Sequence, residues 1–335
     1  MFSYRKHKIN YYYAEILLIL SFPLFTFAGK RINMLAKHVF LKGRNGWGIF
    51  YRIEDCLVYF TLYSVLVRQM HLCVLAFSIM FNHTHSLFKI IAGGKVSDFQ
   101  RRMESCFAHE YNTEYKRTGP VFNSPFGQSD KKGVKNIISA IAYNANNPVA
   151  GRMCKKAAEN RWTLLAYYNN PNPFSKKLVK RDCRYVMRQA LKIVDLYYST
   201  GKHLGYAVLR RIYARLDMEE KRQMTDYIIY KYNFLSHKDL IEIFGSFDRA
   251  LETINNIAGN EYELEDEYGD HSNYQKMLSL SRQLGFEGPN YENFDERQIR
   301  KISSTFYAKI NPKIDQIRKF LHLPCRRPHS PVLRK

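Results

Sequence analysis

Two short segments hold the residue types in this chain that could do chemistry: Phe81-Asn82-His83-Thr84-His85 and Tyr143-Asn144-Ala145-Asn146-Asn147-Pro148. The first ends a run of apolar and β-branched residues and sets two imidazoles two positions apart. Side chains alternate faces along a strand, so His83 and His85 point one way while Thr84 and Ser86 point the other. Imidazoles about 7 Å apart on one strand face can ligate a single cation. Taken alone the pattern is common. With 11 histidines in 335 residues, an H-x-H triplet arises by chance roughly 0.4 times, so the companions of the pair decide its meaning.

The second segment closes a stretch with helical periodicity. On a helical wheel Val134, Ile137, Ile138, Ile141 and Ala145 gather on one side, and Asn136, Ser139, Tyr143 and Asn147 fall on the other. That places Tyr143 opposite the apolar stripe, with Asn147 one turn along the same face. Pro148 biases Asn147 away from helical dihedrals, so distortion of the last turn is expected.

Together the four side chains fit phosphodiester chemistry. A divalent cation neutralises the phosphate oxygens that repel a nucleophile and fixes the phosphorus in line. His83, His85 and the Asn147 amide oxygen would leave coordination positions for those oxygens. Oxygen ligands suit Mg2+, and the imidazoles tilt the preference toward Mn2+. Tyr143 would serve as nucleophile, because a phosphotyrosine keeps the bond energy and a hydroxyl can later reverse the step. A free phenol has a pKa of about 10; the sequence offers no obvious base, and the field of the cation is the expected help.

The composition names the partner class. The chain has 52 Lys+Arg against 30 Asp+Glu, a formal charge of +22, which suits a polyanion: DNA, RNA or an anionic membrane. Thirteen Lys or Arg lie between Lys176 and Arg222, and an acidic patch runs from Glu261 to Asp270. Apolar residues make up 46% and aromatics 15%, so the chain is globular. The six cysteines lie far apart with no C-x-x-C pair, which argues against a zinc knuckle and a disulfide framework and fits a reducing compartment.

Residues 1–33 form a separate apolar extension. Arg5, Lys6 and Lys8 precede Ala14–Ala28, a run broken by Glu15 and Pro23 and shorter than the roughly 20 residues of a membrane span. A translation start at Met34, a membrane anchor through residues 14–28, and an export signal ending at Thr26-Phe27-Ala28 all remain open. The alternatives for location are therefore a nucleoid-associated cytoplasmic protein and a membrane-anchored one.

From Met34 the pattern mixes strands and helices. His38–Leu41 reads as a strand, Gly43–Gly46 as a turn and Glu54–Gln69 as a helix. Leu72–Leu87 reads as one long strand, or two joined by a kink at Phe81-Asn82. Val96–Tyr115 and Lys135–Asn147 read as helices. The cluster Asn169–Pro173 is a turn-rich linker and sets the expected boundary between residues 34–170 and a helical region, 176–324. There Ser236 caps a helix over His237–Phe244, with Asp239 at the reciprocal position, and Gly245-Ser246 leads into Phe247–Ala258. The pair is a candidate helix-turn-helix, with a further helix near Lys313–Leu321. Residues 325–335 read as a disordered tail.

With these residues in place, the stretch from about Lys37 to Tyr168 resembles the single-tyrosine HUH transposases, most closely their REP-associated branch. The resemblance runs through Lys42-Gly43-Arg44-Asn45-Gly46 with Ile49-Phe50, and Val74 to His85. It continues through Arg117 to Phe122 and ends in Tyr143 to Gly151 with Trp162. It implies an α+β fold, with a ferredoxin-like or RRM-like antiparallel sheet, helices on one face and the tyrosine helix packed near the sheet. A mainly α-helical C-terminal region follows. It also implies that His83, His85 and Asn147 hold Mg2+ or Mn2+. Tyr143 would cut single-stranded DNA beside a hairpin, leaving a 5′-phosphotyrosine and a free 3′-hydroxyl. Phe81 departs from the family's usual proline, Thr84 from its usual larger apolar residue, and Ser124-Pro125-Phe126 from its Gln-rich segment. A DNA-binding protein that kept the fold without cleavage is the competing expectation, and monomer and homodimer are both open.

Overall fold

The computed structural model describes residues 34–91, 95–257, 270–286 and 288–324. The N-terminal extension, most of the acidic patch and the tail lie outside the described residues. The described residues make one compact unit. Among the described residues no helix is long and apolar enough to cross a membrane.

Four antiparallel strands form the sheet: β1 (Leu35–Lys42), β2 (Cys73–Ile79), β3 (His83–Lys89) and β4 (Gly127–Lys132), in the order β2-β3-β1-β4. The long apolar stretch is therefore two strands in a hairpin. Chain reversal at Phe81-Asn82, closed by Met80 N–H donating to the His83 carbonyl at 2.8 Å, replaces the expected long strand or kink. Strand β4, Gly-Gln-Ser-Asp-Lys-Lys, has no alternating apolar pattern, and its formation was not legible. It is an edge strand that pairs only with β1 and leaves its polar side chains in water.

Helices cover both faces. On one, α1 (Ile53–Gln69) and α2 (Val96–Tyr115) pack on Thr84, Ser86 and Phe88: the Phe88 ring contacts Tyr63 and Phe99 at 6.3 and 5.4 Å. The opposite face receives α3 (Val134–Ala150), the tyrosine helix. The chain beyond it is helical as expected: α4 (Tyr185–Ser199), α5 (Tyr206–Tyr213), α6 (Met218–Tyr232), α7 (His237–Phe244), α8 (Phe247–Asn256), α9 (Ser272–Gln283), α10 (Glu296–Ile310) and α11 (Ile314–Phe320).

These helices join two cores. One is continuous from Met34 to Ile254 and carries α4–α8 on the sheet and α1. The residues flanking Asn169–Pro173 are tied to it, since Asp226 accepts from the Tyr167 hydroxyl at 2.7 Å, the Phe174 N–H at 3.0 Å and the Ser175 hydroxyl at 2.8 Å. The second core gathers α9–α11 around Tyr51 and Phe81. Ser236 caps α7 and Gly245 closes it at φ 84°, as the capping pattern predicts. The following helix, α8, packs back on α3 and shows solvent Asp248 and Glu252 beside Arg249, a charge set unsuited to a DNA groove.

Candidate active site

Register places the site. In β3, His83 lies opposite Lys42 of β1, and His85 lies between Phe40 of β1 and Ser78 of β2. Cross-strand partners share a face, so these side chains and His38 meet α3. Thr84 points to the other face, where its hydroxyl lies 3.0 Å from that of Tyr59 on α1. The polar residue at this position is thus paired rather than stranded. Gly127 of β4 lies opposite Phe40, and a Cβ there would fall 1.9 Å from the ring. Glycine at the edge leaves room for that ring, which lies tilted at 6.2 Å from both His38 and His85.

Helix α3 brings Tyr143 and Asn147 to the same face. It runs through Pro148 to Ala150, so the expected distortion does not break the one-turn spacing; the Asn147 amide nitrogen donates to the Tyr143 carbonyl at 3.1 Å. The polar face of the wheel is covered toward its C-terminal end: Asn136 is exposed, but Tyr143 is only 6% exposed and Asn147 7%. Helical periodicity reports where apolar side chains cluster, not whether a second layer covers the other face. Here the sheet supplies a polar strip for Tyr143, and α8 covers Asn146, whose amide donates to the carbonyls of Ile254 and Ile257 at 2.6 and 2.9 Å.

The phenol is buried among imidazoles. Its ring lies edge-on to His85 at 5.9 Å and to His38 at 5.8 Å, and the His83 and His85 rings are 4.9 Å apart. The rings of His83, His85 and Tyr143 thus come together on one face, with Asn147 one turn along α3 from the phenol. Two further imidazoles join them. His38 Nε2 lies 3.2 Å from His85 Nδ1, and His271, just before α9, sets its ring 5.6 Å from that of His83. His38 shares strand parity with Phe40 and Lys42, but only the pairing of β1 with β3 reveals its role. His271 carries no local signal at all.

Electrostatics keep the imidazoles neutral. Burial first, then nearby His271, Lys42 and Lys319, holds His83 well below the ordinary range. His85 is depressed likewise, by burial and then by His83, His38, Lys42 and His271. His38 falls to about 4, through burial and then Lys131. Neutral imidazole is the form that ligates a metal. The donor set fits a cation: His83 Nδ1 lies 2.8 Å from Asn82 Oδ1, and donation there leaves Nε2 as the lone-pair nitrogen. His85 Nε2 is fully buried and has no hydrogen-bond partner. Asn147 has its amide nitrogen engaged, so its oxygen is the end a cation would take. Among the described residues no group of three His, Cys, Asp or Glu converges as a metal site.

No protein-family model matches the chain, and no curated protein matches it. Among solved structures, one of a REP-associated tyrosine transposase bound to a REP hairpin is similar over 40% of this chain and 76% of that one. The identity is 14% and the TM-score 0.32.

Proposed function

We propose that this chain is a transposase-like, metal-dependent endonuclease and strand transferase for single-stranded DNA beside a hairpin. Tyr143 is the nucleophile, and His83, His85 and Asn147 hold Mg2+ or Mn2+. The observation that carries the reading is the seating of the Tyr143 ring edge-on to His85 and His38, over the strand face that presents His83 and one turn from Asn147. A bound cation would neutralise the scissile phosphate and ease loss of the phenolic proton.

The residues then divide the work. The Tyr143 oxygen forms a bond to phosphorus as the bond from phosphorus to the 3′ oxygen breaks. The phenolic proton is released and the 3′ oxygen takes one up, giving a 5′-phosphotyrosine and a 3′-hydroxyl. One ester replaces another, so a 3′-hydroxyl can reverse the step and join strands. Lys42, opposite His83 in the register, adds positive charge beside the phosphate site. In the basic stretch Arg184 is paired with Glu220, Arg210 with Glu114 and Lys180 with Asp195. Lys177, Lys192, Lys202 and Arg211 face solvent and supply a salt-sensitive hold on DNA phosphates.

Covalent capture tests the assignment. A hairpin labelled on the 3′ side of the cut, incubated with Mn2+, gives a labelled protein adduct with the wild type and none with Tyr143→Phe. An adduct that survives the substitution removes Tyr143 from its role. The deep burial of His85 and Tyr143 favours a second reading, a hairpin-binding protein without cleavage. Hairpin binding with no metal-dependent nicking across a range of salt would select that reading.

A further inference from the structure

The contact between His38 and His85 gives one strand neighbour a definite task, and it rests on the metal reading above. His38 lies one diagonal from His85: its direct partner across β1 and β3 is Leu87, while His85 pairs with Phe40. Even so, its Nε2 reaches 3.2 Å from His85 Nδ1, with the ring planes only 5° apart. Such a contact holds one proton between two nitrogens. If His38 donates, the neutral His85 carries its own proton on Nε2. That nitrogen is fully buried and has no acceptor, so the proton would be a stranded donor. If His85 donates from Nδ1, its Nε2 presents a lone pair on a ring that lies 4.9 Å from that of His83 and 5.9 Å from that of Tyr143, and both nitrogens have sensible roles.

We infer that His38 is a positioning residue, whose Nε2 accepts the Nδ1 proton of His85 and so fixes the tautomer and ring plane that turn His85 Nε2 toward the cation. Asn82 does the same for His83, through Oδ1 at 2.8 Å from Nδ1. The two ligands would then be oriented alike, one by an amide in the hairpin turn and the other by an imidazole from the neighbouring strand. Groups of this kind typically change metal affinity about 10- to 100-fold when removed.

Titration calorimetry of the full chain with Mn2+ alone, without DNA, tests this. His38→Leu keeps the apolar bulk and removes the acceptor, and is expected to weaken Mn2+ binding about 10- to 100-fold. His38→Gln places an amide oxygen near the position of Nε2 and is expected to restore most of the affinity. Thermal unfolding of both variants, followed without metal, separates this from a loss of fold. Unchanged Mn2+ affinity in His38→Leu overturns the role of His38 and leaves the metal site standing. Equal weakening in both variants, with folding intact, also overturns it, because packing and not the acceptor would then matter. A wild type that takes up no Mn2+ overturns the metal reading itself.

Discussion

Replacing Phe81 with alanine should release the C-terminal helices from the sheet. Phe81 sits in the β2–β3 turn, two residues before His83, and is 5% exposed. Its ring stacks on Tyr274 of α9 at 4.4 Å, lies 5.6 Å from Phe320 of α11 and meets Tyr51 edge-on at 5.0 Å. Burying an aromatic ring in such a setting stabilises by about 3–5 kcal/mol, judged from the cost of truncation to alanine. The ring belongs to the smaller core of α9–α11 and not to the core of the sheet. The loss should therefore fall on opening of this layer, raising its open population roughly a hundred- to several-thousand-fold. Hydrogen exchange read by mass spectrometry measures this directly. Peptides from α9 and α11 should exchange faster by that factor while β1 and β3 keep their protection, and Phe81→Leu should show a smaller acceleration. Unchanged exchange in α9 and α11, together with a lower melting temperature for the whole chain, would refute the reasoning, since Phe81 would then support the sheet.

Three other outcomes follow from the geometry. Gly127→Ala puts a Cβ 1.9–2.4 Å from the Phe40 ring, and should destabilise the fold by about 1–3 kcal/mol, read by denaturant unfolding. Asp55 is fully buried and accepts from the hydroxyls of Tyr115 and Tyr206 on Oδ1 and from the N–H groups of Tyr51 and Arg52 on Oδ2. Asp55→Asn can keep its oxygen on the two N–H groups, but its NH2 then faces two hydroxyls that must turn to accept and give up their charge-assisted bonds, which should cost roughly 1–3 kcal/mol in the same assay. Burial pushes the Glu104 carboxyl up to about 7. Its folded value thus exceeds its unfolded one, so its contribution to stability is complete below the unfolded value and is lost as pH rises through the folded one. Melting temperatures between about pH 5 and about pH 8 should fall more steeply in the wild type than in Glu104→Gln, and parallel profiles would dismiss the role of Glu104.

Much of the site was legible because its signals are local. Alternation in β3 puts His83 and His85 on one face, and the one-turn spacing of Tyr143 and Asn147 survives the proline that follows. Capping chemistry located α7 through Ser236 and Gly245, and apolar periodicity located α1 and α2. Strand β4 was missed because an edge strand needs only a partner with free backbone groups. Any side chain that tolerates water will serve there.

The sequence by itself determined the identity of the donors, their parity along strand and helix, and the excess of positive charge, because each depends on covalent order or on periods of a few residues. Tertiary structure decided which groups share the site. Antiparallel pairing of β1 with β3 brings His38 to His85, and the stacking of Phe81 into α9–α11 brings His271 to His83. It also decided that Tyr143 and Asn147, on the polar face of their helix, are buried. Those choices depend on register and on which layers meet, and contacts between residues far apart in the chain leave no periodic trace in it.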